Sequence, residues 1–473
     1  MDKSIATCIQ YDINNINSIY DFIVSIFLFL ENEERQKVSG DYNKFIKGNN
    51  EDIRHIDTMF NIMMELCDKE SNIIICSDKL EFNKFKKAWF DMLQKTDNVL
   101  GCCMHTLVVF DNYLNTCFAK INDGTIIEQG PFNEITKDGG LFFMAAPCSY
   151  DNDLKTKAHI RLSRQSAVSE PNSLETTFNS YQIIKTKKLL DYSIKIKKYN
   201  KPFVLGKDIN IGIFSSNISS YSELVFNCDN FTINAKYKED YEDIFVNTFI
   251  NTIQDLDDNN ITIAIFPELS LLPNTINCIS KQLKSIDLEN IELIFTGSEW
   301  KDNNNVAYVL SSNGDILLSH HKHSKFSKFV GDAEYIEDIK YNNCFEFLDI
   351  DNFGRIGYMI CKDCTGIELN SLFTSIVNVK ILFISAYTTQ ISLMENMAKS
   401  NAETLAVTSI MCNTCNNENG NNVLGYVFQP EYNNKSISAQ KHEFSRPDDS
   451  CCSTTCSKCK KIYKNKYCIN VVK

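Results

Sequence analysis

The sequence lacks long apolar runs, a positive charge balance and an abundance of glycine or proline. The longest apolar run, from Phe22 to Leu30, is well short of the roughly 20 residues that cross a bilayer, so we expect no membrane association. Only 17 glycines and 8 prolines occur in 473 residues, which excludes a fibrous or low-complexity chain. The first residues, MDKSIATCIQYDINN, carry acids and amides where a secretory signal has an apolar core.

The composition is that of a folded globular protein with two or three domains. Apolar residues make up 43% and charged residues 23%, and the net charge is −12. This charge excludes a protein that coats nucleic acid over its whole surface, although a local basic site stays open. The 19 cysteines are an odd number and follow no small secreted framework. We therefore expect a reduced, cytoplasmic compartment.

The first region, residues 1–200, has a mixed α+β pattern and resembles no family. Apolar spacing predicts helices near residues 16–28, 51–67 and 77–95. Apolar runs predict strands over residues 72–76, 107–121 and 125–128, the last two joined by an Asp123-Gly124 turn.

A basic stretch ends this region. Between Lys155 and Lys201, eleven Lys and Arg face three Asp and Glu, a local balance of +8. It is either a solvated linker and helix face or a site for nucleic acid or another anion. Aromatic residues are sparse there, which disfavours a stacking surface for single strands.

The second region, residues 208–429, alternates apolar strand-like runs with helical patterns. Most of the runs are continuous, as expected for strands covered on both faces. Helices are predicted near residues 237–255 and 391–403. This order predicts an α/β fold around a central sheet system.

The third region, residues 430–473, is short, polar and rich in cysteine. Cys452, Cys456, Cys459 and Cys468 have a spacing that fits a four-cysteine zinc site. The alternative is a basic tail with free thiols. Cys412 and Cys415 have similar spacing, but they follow a core strand and are interpreted as structural.

Three residues in the second region carry the functional prediction. Cys361 ends the strand 355–360 and opens a turn, where backbone N–H groups can stabilise an oxyanion. Glu268 follows the strand 261–266, where burial favours a general base. Lys322 ends the second strand of a hairpin turned at Asn313-Gly314, where its charge can stabilise an oxyanion.

Each of these three residues also has an ordinary interpretation. Cys361 alone fits a buried core cysteine, Glu268 a surface turn and Lys322 a basic loop. Lys325 is an alternative for the catalytic lysine. The neighbouring histidines also suggest a metal site, but no carboxylate or cysteine lies at a spacing that would complete the set of ligands.

Together these residues resemble the catalytic arrangement of the nitrilase (carbon–nitrogen hydrolase) superfamily, over about residues 208–429. Phe266-Pro-Glu-Leu269 is similar to the family's glutamate motif. Ile360-Cys-Lys-Asp363, with Glu368-Leu369 seven and eight places after the cysteine, is similar to its cysteine motif. Asn413 ends a late strand as in the family, and Gly331-Asp-Ala-Glu-Tyr335 resembles a segment whose glutamate supports the site.

The resemblance implies a four-layer α-β-β-α sandwich and a small-molecule amide or nitrile substrate. In this mechanism Glu268 is the base, Cys361 the nucleophile, and Lys322 with the N–H of Lys362 the oxyanion stabilisers. Glu334 is expected to hold Lys322 or orient the substrate, with Asp363 and Asn413 in support. Catalysis requires no cofactor, and a homo-oligomer is expected.

The sequence departs from the family at the positions before the lysine and after the cysteine. His320 and His321 stand where the family has an aromatic residue and Arg or Asp, and Thr365 and Ile367 replace Arg and Pro. Two alternatives to a free-standing enzyme stay open. One is an effector or sensor in which the first region gates the hydrolase, and the other is a binding protein that lost activity.

Overall fold

The computed structural model describes most of the second region and parts of the first and third. The described residues are 19–31, 33–48, 50–65, 79–118, 126–128, 134–135, 141–145, 181–185, 189, 192–199, 209–215, 222–235, 241–350, 353–388, 391–414, 423–433, 436–445, 459–464 and 467–472. The chain divides into two compact units, one of Met1–Pro147 with Ser166–Leu190 and one of Cys148–Gln165 with Asp191–Lys473.

The first unit combines helices with short strands. Its helices are α1 (Ile19–Glu31), α2 (Arg35–Gly48), α3 (Asn50–Glu65), α4 (Lys79–Lys95) and α5 (Val99–Phe118). Its strands are β1 (Ile126–Glu128), β2 (Glu134–Ile135), β3 (Leu141–Ala145) and β4 (Tyr181–Lys185). Strands β2, β3 and β4 form an antiparallel sheet.

An aromatic core joins the helices of the first unit. The ring of Phe22 packs edge-on against Phe85 and Trp89, with centroids 5.3 and 5.0 Å apart. The Trp89 indole N–H donates to Thr106 Oγ1 over 2.9 Å, which satisfies the one polar group of this buried side chain.

The strand predicted over residues 107–121 is wrong, because residues 99–118 form helix α5. Cys103, Leu107 and Phe110 are all buried, and their spacing of four and three residues places them on one helical face. The predicted helix near residues 77–95 is α4. The strand expected at 72–76 and the Asp123-Gly124 turn lie outside the described residues.

The second unit holds most of the strands. They are β5 (Ser193–Tyr199), β6 (Ile211–Ser215), β7 (Ser222–Asn227), β8 (Asn230–Ala235), β9 (Ile263–Ile265), β10 (Leu293–Lys301), β11 (Asn304–Ser311), β12 (Ile316–His321), β13 (Ser327–Val330), β14 (Ala333–Glu337), β15 (Cys344–Ile350), β16 (Gly354–Ile360), β17 (Ile381–Ala386), β18 (Thr408–Asn413), β19 (Val423–Asn433), β20 (Ser436–Ser445), β21 (Cys459–Lys464) and β22 (Tyr467–Val472). The helices are α6 (Tyr241–Asp258), α7 (Ile276–Leu283), α8 (Ile367–Ser371) and α9 (Ser392–Leu405).

Two mixed sheets dominate this unit. One has the order β5-β15-β16-β17-β18-β19-β20, with β16, β17 and β18 parallel. The other has the order β12-β11-β10-β9-β6-β22-β21, with β10, β9 and β6 parallel. A smaller sheet runs β13-β14-β8-β7. These mixed sheets and their helices agree with the predicted α/β class.

The two large sheets contact each other through alternate side chains. Phe295 of β10 stacks on Phe383 of β17, with ring centroids 3.8 Å apart. Ile294, the residue before it in β10, points the other way and joins the apolar cluster of α6 and α7. Helix α9 packs on β18, β19 and β20 of the other sheet.

Strands outside the predicted hydrolase bounds of 208–429 pair into the sheets of the second unit. Strand β5, expected in the first region, pairs in parallel with β15, and Lys197 on it forms a 2.9 Å ion pair with Glu346. Strands β20 and β22, expected in a polar tail, pair with β19 and β6. Most of the basic stretch 155–201 lies outside the described residues. In the described part of the chain, no helix is long and apolar enough to cross a membrane.

Candidate active site

Glu268 lies just after β9, in a loop that other strands hold firmly. Its neighbour Leu269 has a left-handed backbone (φ 60°), and the Leu269 N–H donates to Ser298 Oγ over 2.9 Å. Gly297 approaches the loop so closely that a Cβ there would lie 2.0 Å from the Pro267 carbonyl oxygen. The Glu268 side chain is buried, so its position is set by packing before any substrate arrives.

Lys322 follows the last residue of β12 and is also buried. Its backbone N–H donates to the carbonyl of Asn305 on the neighbouring strand over 2.8 Å. Its ammonium donates to Glu268 Oε1 over 2.8 Å. Lys325, the other predicted lysine, instead lies over the ring of Tyr341, 5.3 Å from its centroid. The structure thus brings Lys322, and not Lys325, to Glu268.

A second buried glutamate contacts the lysine, and it is Glu337. Its Oε2 lies 2.8 Å from Lys322 Nζ, and the same oxygen accepts the Phe326 N–H over 2.9 Å. The prediction that Glu334 contacts Lys322 is wrong, because Glu334 is exposed three residues earlier on β14. Residues three apart on a strand point to opposite faces, so one of the two is buried and the other is not.

Cys361 begins a short 3₁₀ helix, Cys361–Thr365, directly after the buried strand β16. Its backbone is left-handed (φ 48°), which is strained for a residue with a side chain. The side chain is 3% exposed, and the backbone N–H of Tyr387 hydrogen-bonds to its sulfur. A strained, buried turn after a strand is a common setting for a nucleophile.

The buried surroundings of Cys361 favour a neutral thiol in the resting protein. Burial raises the pKa of Cys361 well above its ordinary range; the Glu268 carboxylate adds to this rise, and the Lys322 ammonium opposes it. The thiol therefore needs a base.

Glu268 and Lys322 have complementary shifts. Burial raises the pKa of Glu268, against the opposing effect of the lysine. Burial alone would lower the pKa of Lys322, but Glu268, Glu337 and Cys361 together raise it well above its ordinary value. The lysine thus stays charged, while the raised pKa brings the Glu268 carboxyl closer to neutral pH.

Asp363 ties the cysteine turn to the lysine strand. Its carboxylate accepts hydrogen bonds from His320 Nε2 over 3.0 Å and from the N–H groups of His323 and Ser324 over 3.1 and 2.6 Å. Although burial opposes ionisation, the His320 hydrogen bond and the other contacts lower the pKa of Asp363. Asp363 thus contacts residues on both sides of Lys322 in the chain, and its support of catalysis stays a prediction.

Asn413 acts on the loop that touches Cys361. It ends β18, where its Oδ1 accepts the Thr388 N–H over 3.0 Å and its Nδ2 donates to the Thr388 carbonyl over 2.9 Å. Thr388 follows Tyr387 in the chain, so Asn413 fixes the residue next to the one whose N–H contacts the Cys361 sulfur. The side chain of Lys362 is exposed, and its N–H as an oxyanion donor stays a prediction.

The metal predictions have separate outcomes. Among the described residues, no group of three or more His, Cys, Asp or Glu has a metal-binding arrangement. In the β21–β22 register Cys459 pairs with Val472 and Cys468 with Tyr463, four positions apart. The four-cysteine zinc site in this segment stays a prediction. Cys452 and Cys456 lie outside the described residues.

Two residues of the site went unrecognised in the sequence. Glu337 lies in Tyr335-Ile-Glu337. Side chains alternate between the two faces of a strand, so the sequence places Glu337 and Glu334 on opposite faces, but it does not show which face is buried. Asn305 is the last of three consecutive asparagines, and nothing local distinguishes it from the other two. Its Nδ2 donates to Glu268 Oε1 over 2.8 Å.

No protein-family model matches this chain, and no curated protein matches it. Three similar solved structures are a variant of Nesterenkonia AN1 amidase from the nitrilase superfamily, Saccharomyces cerevisiae Nit3 of branch 10 of that superfamily, and glutamine-dependent NAD+ synthetase from Acinetobacter baumannii. Their identities are 10, 12 and 16% and their TM-scores 0.37, 0.33 and 0.35. The matches cover 57, 50 and 51% of this chain, and 91, 90 and 44% of those chains. This chain therefore spans less than half of the synthetase.

Proposed function

We propose that the second unit is a hydrolase of non-peptide carbon–nitrogen bonds in small amides or nitriles, with Cys361 as nucleophile. The main support is one observation. The Lys322 ammonium is buried between two carboxylates, Glu268 and Glu337, within the electrostatic reach of a strained, buried cysteine. Three charged groups without solvent are costly to hold, and catalysis is a reason to keep them. We also propose that the two sheets and their outer helices form the four-layer sandwich of the nitrilase superfamily.

The first half-reaction forms a thioester. Glu268 removes the proton from Cys361, and the thiolate attacks the carbonyl carbon of an amide. Lys322 stabilises the negative charge that develops on the carbonyl oxygen. The intermediate collapses as Glu268 returns the proton to the nitrogen. Ammonia or an amine leaves, and the acyl group stays on sulfur.

The second half-reaction regenerates the enzyme. Glu268 removes a proton from water, which attacks the thioester carbon while Lys322 again stabilises the oxyanion. The carbon–sulfur bond breaks, the acid leaves, and the thiolate recovers its proton. Glu337 holds Lys322 in place throughout, since it contacts the ammonium and not the reacting atoms.

Intact-mass spectrometry tests this function directly. The protein is incubated with a panel of small amides and nitriles, and acyl adducts are sought on wild type and on Cys361→Ala. We expect adducts on wild type only, and turnover close to background for Glu268→Gln. Equal labelling of Cys361→Ala would show that another residue is the nucleophile. Ordinary turnover by Glu268→Gln would remove that residue as the base.

We also propose a homo-oligomer, as the family resemblance implies. Light scattering at micromolar concentration measures the mass in solution. A mass equal to one chain of 54.2 kDa contradicts this proposal.

A further inference from the structure

Asn305 links the proposed base and the proposed lysine. It is the second residue of β11 and only 1% exposed. Its side-chain Nδ2 donates to Glu268 Oε1 over 2.8 Å, and its backbone carbonyl accepts the Lys322 N–H over 2.8 Å. The residue therefore contacts the two groups that handle the proton and the oxyanion.

The other polar atom of this side chain has no partner. Among the described residues, Asn305 Oδ1 is buried and accepts no hydrogen bond. Lys322 and Asn305 both donate to the same oxygen of Glu268, so the amide is oriented with nitrogen toward the carboxylate and oxygen away from it. A buried acceptor without a donor costs about 1–3 kcal/mol, which calls for an explanation.

We propose that Asn305 Oδ1 accepts a hydrogen bond from the nitrogen of the substrate, and that this enzyme takes carboxamides whose nitrogen carries hydrogen. The inference rests on the proposed function. Oδ1 and Nδ2 are bonded to the same carbon, so the unpaired oxygen lies next to the nitrogen that contacts the Glu268 carboxylate, although it points away from that carboxylate. We expect the substrate nitrogen, which takes its proton from Glu268, to come within hydrogen-bond distance of this acceptor.

The chemistry of the leaving group decides which substrates satisfy this acceptor. A primary amide has two N–H groups; one bonds to Oδ1 while the nitrogen takes a proton from Glu268 and departs as ammonia. An ester oxygen carries no hydrogen, and neither does a nitrile nitrogen on entry. With these substrates Oδ1 stays unsatisfied, and a buried polar group without its partner discriminates strongly against such analogues.

The test compares a carboxamide with the methyl ester of the same acyl group, chosen as the acyl group that labels Cys361 in the amide panel. Values of kcat/KM are measured for wild type, Asn305→Leu and Asn305→Asp. Asn305→Leu removes both polar atoms, and we expect its amide-to-ester ratio to fall about ten- to a hundredfold below that of wild type. Asn305→Asp keeps an oxygen at this position, and its ratio should stay close to that of wild type.

Asn401→Leu is the matched control. Asn401 is equally buried, and its amide exchanges hydrogen bonds with Asn370 instead of the active site. Its substitution should lower stability without changing the amide-to-ester ratio. If Asn305→Leu fails to fold by circular dichroism, Asn305→Ser replaces it in the same comparison.

An equal loss for amide and ester in Asn305→Leu overturns the proposal, because the residue then only positions Glu268. Failure of the proposed function gives a different result. In that case neither compound labels Cys361 in wild type, and the ratio has no meaning for any variant.

Discussion

The carboxylate of Glu337 lies 2.8 Å from the Lys322 ammonium, so this buried lysine contacts two carboxylates at once. In the proposed mechanism Glu268 gains and loses a proton, which requires that Lys322 keep its position while the proton moves. Glu337 meets this requirement, because it contacts the lysine and also accepts the Phe326 N–H.

Glu337→Gln should lower kcat about ten- to a hundredfold, because the lysine loses one of its two fixed partners and its position loosens. Steady-state kinetics with an amide substrate measures this change. Glu334→Gln is the control, since Glu334 is exposed on the same strand. Equal losses in the two variants would contradict the assignment of Glu337.

Lys322→Gln should reduce kcat about a hundred- to a thousandfold through loss of oxyanion stabilisation. It should also destabilise the fold, because two buried carboxylates remain without their cation. Lys325→Gln should retain nearly full activity, because the Lys325 side chain lies over the ring of Tyr341. The reverse order of losses would transfer the catalytic role to Lys325.

Cys361→Gly should be more stable than Cys361→Ala by roughly 0.5–1 kcal/mol. Both remove the sulfur, but the left-handed backbone at φ 48° strains alanine and not glycine. Urea unfolding of both inactive variants measures the difference. A more stable alanine variant would mean that the turn is relaxed in solution.

The pH dependence of kcat/KM should show an acidic limb set by Glu268. Its pKa is raised above the ordinary 4.5, and the reaction needs the ionised form. Activity therefore falls as pH drops through a value higher than 4.5. The acidic limb should be absent from the pH profile of the residual activity of Glu268→Gln. If the limb is unchanged in that variant, another group is responsible for it.

Asp363 should stabilise the fold in a pH-dependent way. Its folded pKa lies below the ordinary 3.8, so its contribution is fully present above about pH 4 and is lost as pH falls through the lower, folded value. The difference in unfolding free energy between wild type and Asp363→Asn should thus shrink on acidification. Asp332→Asn, at an exposed position, serves as the control substitution.

The sequence by itself determined the α/β class and brought out Glu268, Lys322 and Cys361. Glu268 and Cys361 each follow a strand whose continuous apolar run requires burial, and Lys322 ends the second strand of a hairpin that the Asn313-Gly314 turn predicts. Asp363 was also visible, since its offset from Cys361 is fixed along the chain. These signals are local, and local backbone preferences suffice to generate them.

Only the tertiary structure decided which side chains meet. Glu337 replaced Glu334 because the sheet that carries them has one buried face, and Asn305 joined the site because β11 lies beside β12. Strands β5 and β22 pair with strands that are distant in sequence, β15 and β6. Burial and pairing between remote segments arise from the whole packed unit, and no short window of sequence contains that information.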